Sequence, residues 1–133
     1  SWIMGMHLES LAVRMERHCA NALAVARFLE ADPRISWVSY PGLEGDRNHA
    51  LAAKYMPNGT CGVISFGVPG GRNTVSSLLD HFRMISIATH VADARSCTLH
   101  PAGTTHRQLT EEQLEEAARH RPGTPELRHR KRR

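Results

Sequence analysis

The 133-residue sequence has few aromatic residues, only three cysteines and no long apolar segment. Aromatic residues make up 5% of the chain and hydrophobic residues 41%, which is slightly low for a globular protein but does not indicate disorder. No apolar run approaches the roughly 20 residues that cross a bilayer. The length therefore predicts about one globular domain with a moderate core, and the composition predicts no membrane partner.

The cysteines and histidines lack the spacing of metal sites. Cys19, Cys61 and Cys97 are far apart, odd in number and set among apolar neighbours. This setting favours reduced, inert thiols in a cytoplasmic protein over disulfides or nucleophiles. Nine histidines occur without a Cys-x-x-Cys or His-x-x-x-His pair, and proline and glycine separate His100 from His106. We therefore expect no metal site.

Positive charge is concentrated in the last segment. Residues 119–133 hold seven Arg or Lys and one acidic residue, which leaves ten basic and twelve acidic residues in 1–118. The formal net charge of +4 therefore comes from this segment, which we expect to be a disordered basic tail. Nucleic-acid binding through the tail is the alternative function of another class. It is disfavoured because no aromatic residues are interleaved for stacking.

Apolar periodicity and turn residues predict alternating helices and strands. The predicted order is helix 8–30, strand 35–40, helix 46–56, strand 61–68, helix 73–82, strands 84–89 and 95–99, and a helix from residue 110. Asp46, Asn73 and Thr110 are the predicted caps, and Gln113 is spaced to complete a capping box with Thr110.

The apolar pattern also predicts how these elements pack. One face of the first helix gathers apolar residues at three- and four-residue steps and is expected to be buried. These residues are Leu8, Leu11, Ala12, Met15, Cys19, Ala22, Leu23 and Ala26. Strand 61–68 is mostly apolar, which predicts a central place in its sheet. The order of elements predicts a two-layer α/β fold with helices packed on one sheet.

Four segments resemble, in order and spacing, parts of one enzyme family. They are LESLAVRMERHCANALAVARFLE (8–30), VSYPGL (38–43), GVISFGVPGGR (62–72) and ISIATHVADARSCTLHPAGTTHRQLTEEQ (85–113). They resemble the C-terminal part of the Cys/Met-metabolism pyridoxal-phosphate (PLP) enzymes, and the likeness covers residues 2–118. The pair Thr104-Thr105 before His106 is most similar to the O-acetylhomoserine or O-acetylserine sulfhydrylase branch.

This resemblance implies a fold and a chemistry. Residues 1–118 are expected to form the small C-terminal domain of a fold-type I PLP enzyme, followed by the tail 119–133. In such enzymes a lysine Schiff base holds PLP, the γ-acetyl group of O-acetylhomoserine leaves, and sulfide or a thiol adds to give homocysteine or a thioether. The parent enzyme is expected to be a cytoplasmic homotetramer. Cystathionine γ-synthase and γ-lyase, of the same family, are the alternative activities.

The lysines do not fit the family's Schiff-base motif. The chain has only Lys54 and Lys131, and neither stands in a Ser-x-x-Lys setting. The resemblance therefore implies that the reacting lysine lies upstream of residue 1 and that the chain is truncated at both ends. We expect the chain alone to be inactive, with no catalytic or cofactor-binding residue of its own.

The resemblance identifies Thr89, His90 and Thr105 as substrate-pocket candidates. His90 and Ala92 stand where the family usually has Asn or Ser followed two residues later by Gly, which weakens the case for a carboxylate contact from His90. A second departure is His7, which stands at a family glycine.

Overall fold

The structure is a computed structural model that describes residues 1–90, 93–110 and 112–113. The described residues fall into two compact units. The first contains residues 1–67, and the second begins at Val68. Each unit is described separately below.

The described helices and strands alternate along the chain. The first unit contains helices α1 (Trp2–Glu9), α2 (Leu11–Ala31) and α3 (His49–Tyr55) and strands β1 (Trp37–Ser39) and β2 (Ser65–Gly67). The second unit contains helix α4 (Gly71–Asp80), strands β3 (Ser86–Ile87) and β4 (Cys97–Thr98), and a 3₁₀ helix (Pro101–Gly103). This mixture of helices and small sheets gives the chain the predicted α/β character.

The predicted helix 8–30 corresponds to α2, and α1, most of which was not predicted, precedes it and meets it at Ser10. Ser10 has φ −98° and ψ 3°, and the Arg14 guanidinium bridges the junction by donating to the Ser10 hydroxyl at 3.2 Å and to the His7 carbonyl at 2.7 Å. The predicted buried face is confirmed at Ala22 and Ala26. It is wrong at Leu8, Leu11, Ala12 and Met15, which are exposed, because the buried core residues of this unit on α2 lie in its C-terminal half.

The core of the first unit joins α2 to the turn that follows β1. Ala22, Ala26, Tyr40 and Leu43 are buried together, and the Tyr40 side chain is 1% exposed. The alanines are small, which lets the aromatic ring and the turn approach the helix closely. Partly buried residues complete this core: Leu23, Val38, Cys61 and Ile64.

Strands β1 and β2 form an antiparallel ladder in which Trp37 pairs with Gly67 and Ser39 with Ser65. A Cβ atom at Gly67 would meet the Trp37 indole nitrogen, so glycine is the residue that fits there. The prediction of a central strand over 61–68 is wrong for the described part of the chain, where β2 has a single partner. The first residues of that segment pack on the core and bind the Tyr40 hydroxyl instead of pairing.

Helix α3 begins later than predicted, at His49. The prediction that Asp46 caps this helix is wrong, because the N-cap is Asn48 and it has no side-chain cap hydrogen bond. The Asp46 carboxylate instead accepts the N–H groups of Asn48 at 2.8 Å and Tyr40 at 3.0 Å, both before the helix. The carboxylate thereby fixes the turn between β1 and α3. The helix ends at Tyr55, before Pro57, and Gly59 beyond it has a positive φ of +129°.

In the second unit β3 and β4 pair in parallel, with Ser86 opposite Cys97 and Ile87 opposite Thr98. The expectation of one sheet is therefore wrong for the described strands, which form two separate two-stranded ladders.

Helix α4 begins at Gly71, so the predicted cap Asn73 lies within its first turn. The N-cap is Gly70, with φ +108°, and the Thr74 hydroxyl donates to its carbonyl at 3.1 Å. Further along, the predicted capping box is confirmed. The Thr110 N–H donates to Gln113 Oε1 at 2.9 Å, and the Gln113 N–H donates to Thr110 Oγ1 at 3.3 Å.

The remaining predictions concern the cysteines, membrane-spanning helices, metal sites and the C-terminal segment. The three cysteines are free thiols and half-buried. Among the described residues, no helix is long and apolar enough to cross a membrane, and no group of three potential ligands is arranged to hold a metal ion. The predicted tail 119–133 and most of the predicted last helix lie outside the described residues.

Candidate functional site

The parallel β3–β4 ladder defines one edge from which two loops leave. Thr89 and His90 follow β3, and His100 follows β4. The Ala88 N–H still donates to the Thr98 carbonyl at 3.1 Å, so the strands stay in register up to the edge. Because parallel strands end on the same side, both loops begin at the same edge, where α/β proteins commonly bind ligands.

The loop after β3 carries a fixed ion pair. Asp93 Oδ1 accepts the Arg95 N–H at 2.9 Å, and Asp93 Oδ2 lies 3.3 Å from Arg95 Nη2. These hydrogen bonds lower the pKa of Asp93, and the nearby charges of Arg95 and His90 lower it further. Asp93 is therefore anionic at neutral pH, and the exposed His90 imidazole lies within reach of its charge.

The loop after β4, which we call the Thr105 loop (residues 100–106), is held by bonds among its own residues. The His100 carbonyl accepts the Gly103 N–H at 3.0 Å and the Thr104 hydroxyl at 2.8 Å. The Pro101 carbonyl accepts the His106 N–H at 2.7 Å. The exposed Thr105 hydroxyl lies 2.8 Å from His106 Nδ1.

Helix α4 contacts the Thr105 loop through Arg72. Its Nη1 donates to the Ala102 carbonyl at 3.1 Å. Burial lowers the pKa of His100, and the positive charge of Arg72 lowers it further. A Cβ atom at Gly103 would lie 2.8 Å from His100 Nδ1, so the imidazole ring occupies the space that a side chain there would fill.

The three predicted site residues lie on loops of the second unit. Thr89, His90 and Thr105 belong to the two loops that begin at the shared edge, and all three are exposed. Their role as a substrate pocket stays a prediction. Sequence reasoning missed Arg72, because the contact it makes is 30 residues away in the chain and no local pattern signals it.

The described residues do not fit a covalently bound PLP. Lys54 lies on α3 with an exposed side chain, and its ammonium nitrogen is 5.0 Å from the centre of the Tyr55 ring. A Schiff-base lysine is activated by an enclosed setting or a neighbouring cation, and neither is present around Lys54 in the described structure. Lys131 lies outside the described residues.

A family model and individual relatives all match the chain to the same enzyme family. The family described as Cys/Met metabolism PLP-dependent enzyme matches residues 1–121. A homocysteine synthase of Schizosaccharomyces pombe is 46% identical over 80% of the chain and 25% of its own length. An O-acetyl-L-homoserine sulfhydrylase of Leptospira meyeri is 43% identical over 83% of the chain, again 25% of the relative. The chain thus spans about a quarter of the length of these curated relatives.

Solved structures show the same likeness. An O-acetylhomoserine (thiol)-lyase of Campylobacter jejuni, containing a pyridoxyl-lysine-5′-monophosphate, has a TM-score of 0.78 and 38% identity over 87% of the chain and 28% of its own. A cystathionine γ-synthase of Xanthomonas oryzae, in complex with aminoacrylate and cysteine, has a TM-score of 0.73 and 33% identity. The match covers 83% of this chain and 28% of that enzyme's chain. The α/β fold is therefore that of a portion of a fold-type I PLP enzyme, as predicted.

Proposed function

Because the chain belongs to the Cys/Met metabolism PLP-dependent enzyme family, we propose that it is the small-domain portion of an O-acetylhomoserine sulfhydrylase. In the overall reaction the sulfur of sulfide, or of a thiol, replaces the γ-acetoxy group of O-acetylhomoserine. The products are homocysteine, or a thioether, and acetate. The identities of 46% and 43% to proteins named for this chemistry support the choice within the family.

The observation that carries the proposal is the shared edge of β3 and β4. Two loops begin at this edge, one with Thr89 and His90 and the other with Thr105. The hydroxyl groups of Thr89 and Thr105 are suited to hydrogen-bonding the carboxylate of an amino acid substrate. The chain supplies this substrate-facing surface, and the PLP-binding lysine belongs to another part of the protein, since Lys54 is exposed on α3.

The proposal also covers the domain limits, the oligomeric state, the cellular location and the small molecules bound. Residues 1–118 form the small domain and residues 119–133 a basic tail. The whole protein acts as a homo-oligomer, a tetramer, in the cytoplasm. Its amino acid substrate and PLP are the small molecules that it binds.

A cystathionine γ-synthase portion is the second candidate. The likeness to the Xanthomonas oryzae enzyme, with a TM-score of 0.73, favours it. The two activities differ in the nucleophile, which is sulfide or a simple thiol in one and cysteine in the other. Supplying each nucleophile in the same assay separates them.

The test is complementation with a lysine-bearing N-terminal fragment of a family member. Neither piece alone should convert O-acetylhomoserine and sulfide to homocysteine, and the two pieces together should. Borohydride treatment of the chain alone with stoichiometric PLP should label Lys54 no more than the other exposed amines of the chain, because Lys54 lacks the enclosed setting of a cofactor-binding lysine. Turnover by the chain alone, or none by the mixture, would contradict the proposal.

Single substitutions, measured in the same assay, test whether Thr105 contacts the substrate. Thr105→Val keeps the shape of the side chain and removes its hydroxyl, so the KM for O-acetylhomoserine should rise about tenfold if one substrate hydrogen bond is lost. Ser76→Ala removes an exposed hydroxyl from α4 in the same unit and should leave the KM unchanged. Equal effects of the two changes would show that Thr105 does not face the substrate.

A further inference from the structure

We propose that Arg72 is a positioning residue that holds the Thr105 loop against helix α4. The part of this proposal that concerns substrate rests on the proposed function, because that function gives Thr105 its role. The part that concerns the loop rests on the geometry of the second unit alone. Arg72 is outside the set of residues that the sequence indicated for the site.

The hydrogen bonds of the Thr105 loop are of two kinds. Those within it are local, such as the bond from His106 N–H to the Pro101 carbonyl at 2.7 Å. Local bonds fix the shape of the turn but do not fix where it lies on the unit. The bond from Arg72 Nη1 to the Ala102 carbonyl joins residues 30 positions apart and therefore ties the turn to α4.

The start of α4 determines where the Arg72 side chain leaves the helix. Gly70 and Gly71 have φ values of +108° and +75°, which turn the chain sharply into the helix. Arg72 is the next residue, in the first turn of α4, and its side chain is half-buried. The anchor thus sits on a regular helix, which positions it more rigidly than a loop would.

The positive charge of Arg72 also acts on His100 in the Thr105 loop. The guanidinium of Arg72 lowers the pKa of His100, which burial also lowers. The His100 ring is therefore neutral at pH 7, and it fills the space beside Gly103 at the centre of the turn. A protonated ring would be repelled by Arg72, so the guanidinium favours the uncharged, packed state of the loop.

One charged group of the described structure acts on the pKa of His100. Arg72 on α4 is the charged group whose effect reaches the ring. His106, in the same loop, faces the Thr105 hydroxyl through Nδ1. Removing the charge of Arg72 therefore removes the electrostatic cause of the lowered pKa and leaves the part due to burial.

The first test uses the full 133-residue chain and needs neither PLP nor turnover. NMR titration should show that Arg72→Gln raises the pKa of His100 toward 6.5, whereas Arg72→Lys, which keeps the charge, should leave it lowered. Amide exchange at Gly103, Thr104 and His106 should become about tenfold faster in Arg72→Gln. The matched control is Arg83→Gln, an exposed arginine of the same unit, which should change neither readout.

Two outcomes overturn the positioning role. One is an unchanged His100 pKa with unchanged amide exchange in Arg72→Gln. The other is equal loss of protection throughout the second unit, with near-UV circular dichroism showing that the unit has unfolded. In that second case Arg72→Lys separates the two roles. Restored amide protection in the Thr105 loop supports the positioning role, and continued loss shows that Arg72 stabilises the unit as a whole.

The second test uses the complemented enzyme. If the loop contacts the substrate, as the proposed function requires, displacing it should raise the KM for O-acetylhomoserine about tenfold in Arg72→Gln with kcat changed less than twofold. A fall in kcat at constant KM contradicts this. Failure of the wild-type chain to complement overturns the proposed function, while the NMR experiment still decides whether Arg72 holds the loop.

Discussion

The Tyr40 hydroxyl lies 2.9 Å from the carbonyl oxygen of Cys61, and this contact joins two segments of the first unit. The same hydroxyl lies 3.3 Å from the carbonyl of Cys19 on α2 and accepts a hydrogen bond from the Thr60 hydroxyl at 3.0 Å. Burial raises the pKa of Tyr40, which is 1% exposed, so the hydroxyl keeps its proton throughout the physiological range.

Removing this hydroxyl should destabilise the unit. Tyr40→Phe keeps the buried ring but leaves the carbonyl of Cys61 and the Thr60 hydroxyl without their partner. We expect the free energy of unfolding, measured in urea, to fall by about 1–3 kcal/mol. Tyr55→Phe is the matched control, because Tyr55 is 69% exposed, and its effect should stay within about 0.5 kcal/mol. A similar effect of both changes would show that the Tyr40 hydroxyl contributes nothing.

Packing at the middle of the core predicts a size limit at Ala26. This residue is fully buried, with 0% exposure, on the face of α2 that meets Tyr40 and Leu43. Ala26→Leu inserts three carbon atoms into a filled space and should lower the free energy of unfolding by about 1–3 kcal/mol. Ala24→Leu, on the exposed side of the same helix, should be nearly neutral. A neutral Ala26→Leu would mean that the space around Ala26 is not filled.

The Asp32–Arg34 pair after α2 predicts a pH dependence. A side-chain hydrogen bond from Arg34, with Nη2 2.6 Å from Asp32 Oδ2, lowers the pKa of Asp32 from 3.8 to about 2, and the Arg34 backbone N–H adds to this. A carboxylate with a lowered folded-state pKa stabilises the fold above pH 3.8 and loses that contribution as the pH falls from 3.8 toward 2.

Titration by NMR tests this pair directly. The Asp32 carboxyl carbon should titrate near 2 in the wild-type chain and at a higher pH, still below 3.8, in Arg34→Gln, which keeps the backbone N–H of residue 34. Arg95→Gln is the control, since Arg95 pairs with Asp93 and should shift only that carboxylate. If Asp32 titrates near 3.8 in the unmodified chain, the exposed pair does not form in solution.

Local chemistry made much of the fold predictable from the sequence. The Thr110–Gln113 capping box requires only two residue types three positions apart, and both of its hydrogen bonds are present. The end of α2 before Pro33 follows from the restricted backbone of the residue before proline. Such features depend on neighbours in the chain, so the sequence contains all the information needed to find them.

The features that were missed depend on distant residues. Apolar periodicity marks Leu8 as a core residue, but periodicity cannot tell whether another element covers it, and it is 64% exposed. The parallel pairing of Ser86 with Cys97 and the bond from Arg72 to Ala102 also have no local signature. Of the candidate site, the residue identities came from the family resemblance, while the edge that relates them required the structure.

The two glycines before Arg72 should differ in their tolerance of alanine. Gly70 and Gly71 both have positive φ, but a Cβ atom at Gly70 would collide with the Thr74 hydroxyl, whereas a Cβ at Gly71 would meet open space. Gly71→Ala should therefore cost about 1 kcal/mol of unfolding free energy for the left-handed backbone alone. Gly70→Ala should cost about 2–3 kcal/mol, because it adds the collision. Thermal or urea unfolding of the two variants measures the difference, and a double variant Gly70→Ala/Thr74→Ala, which removes the obstructing side chain, should recover part of it. Equal costs for the two single variants would show that the start of α4 shifts to relieve the contact.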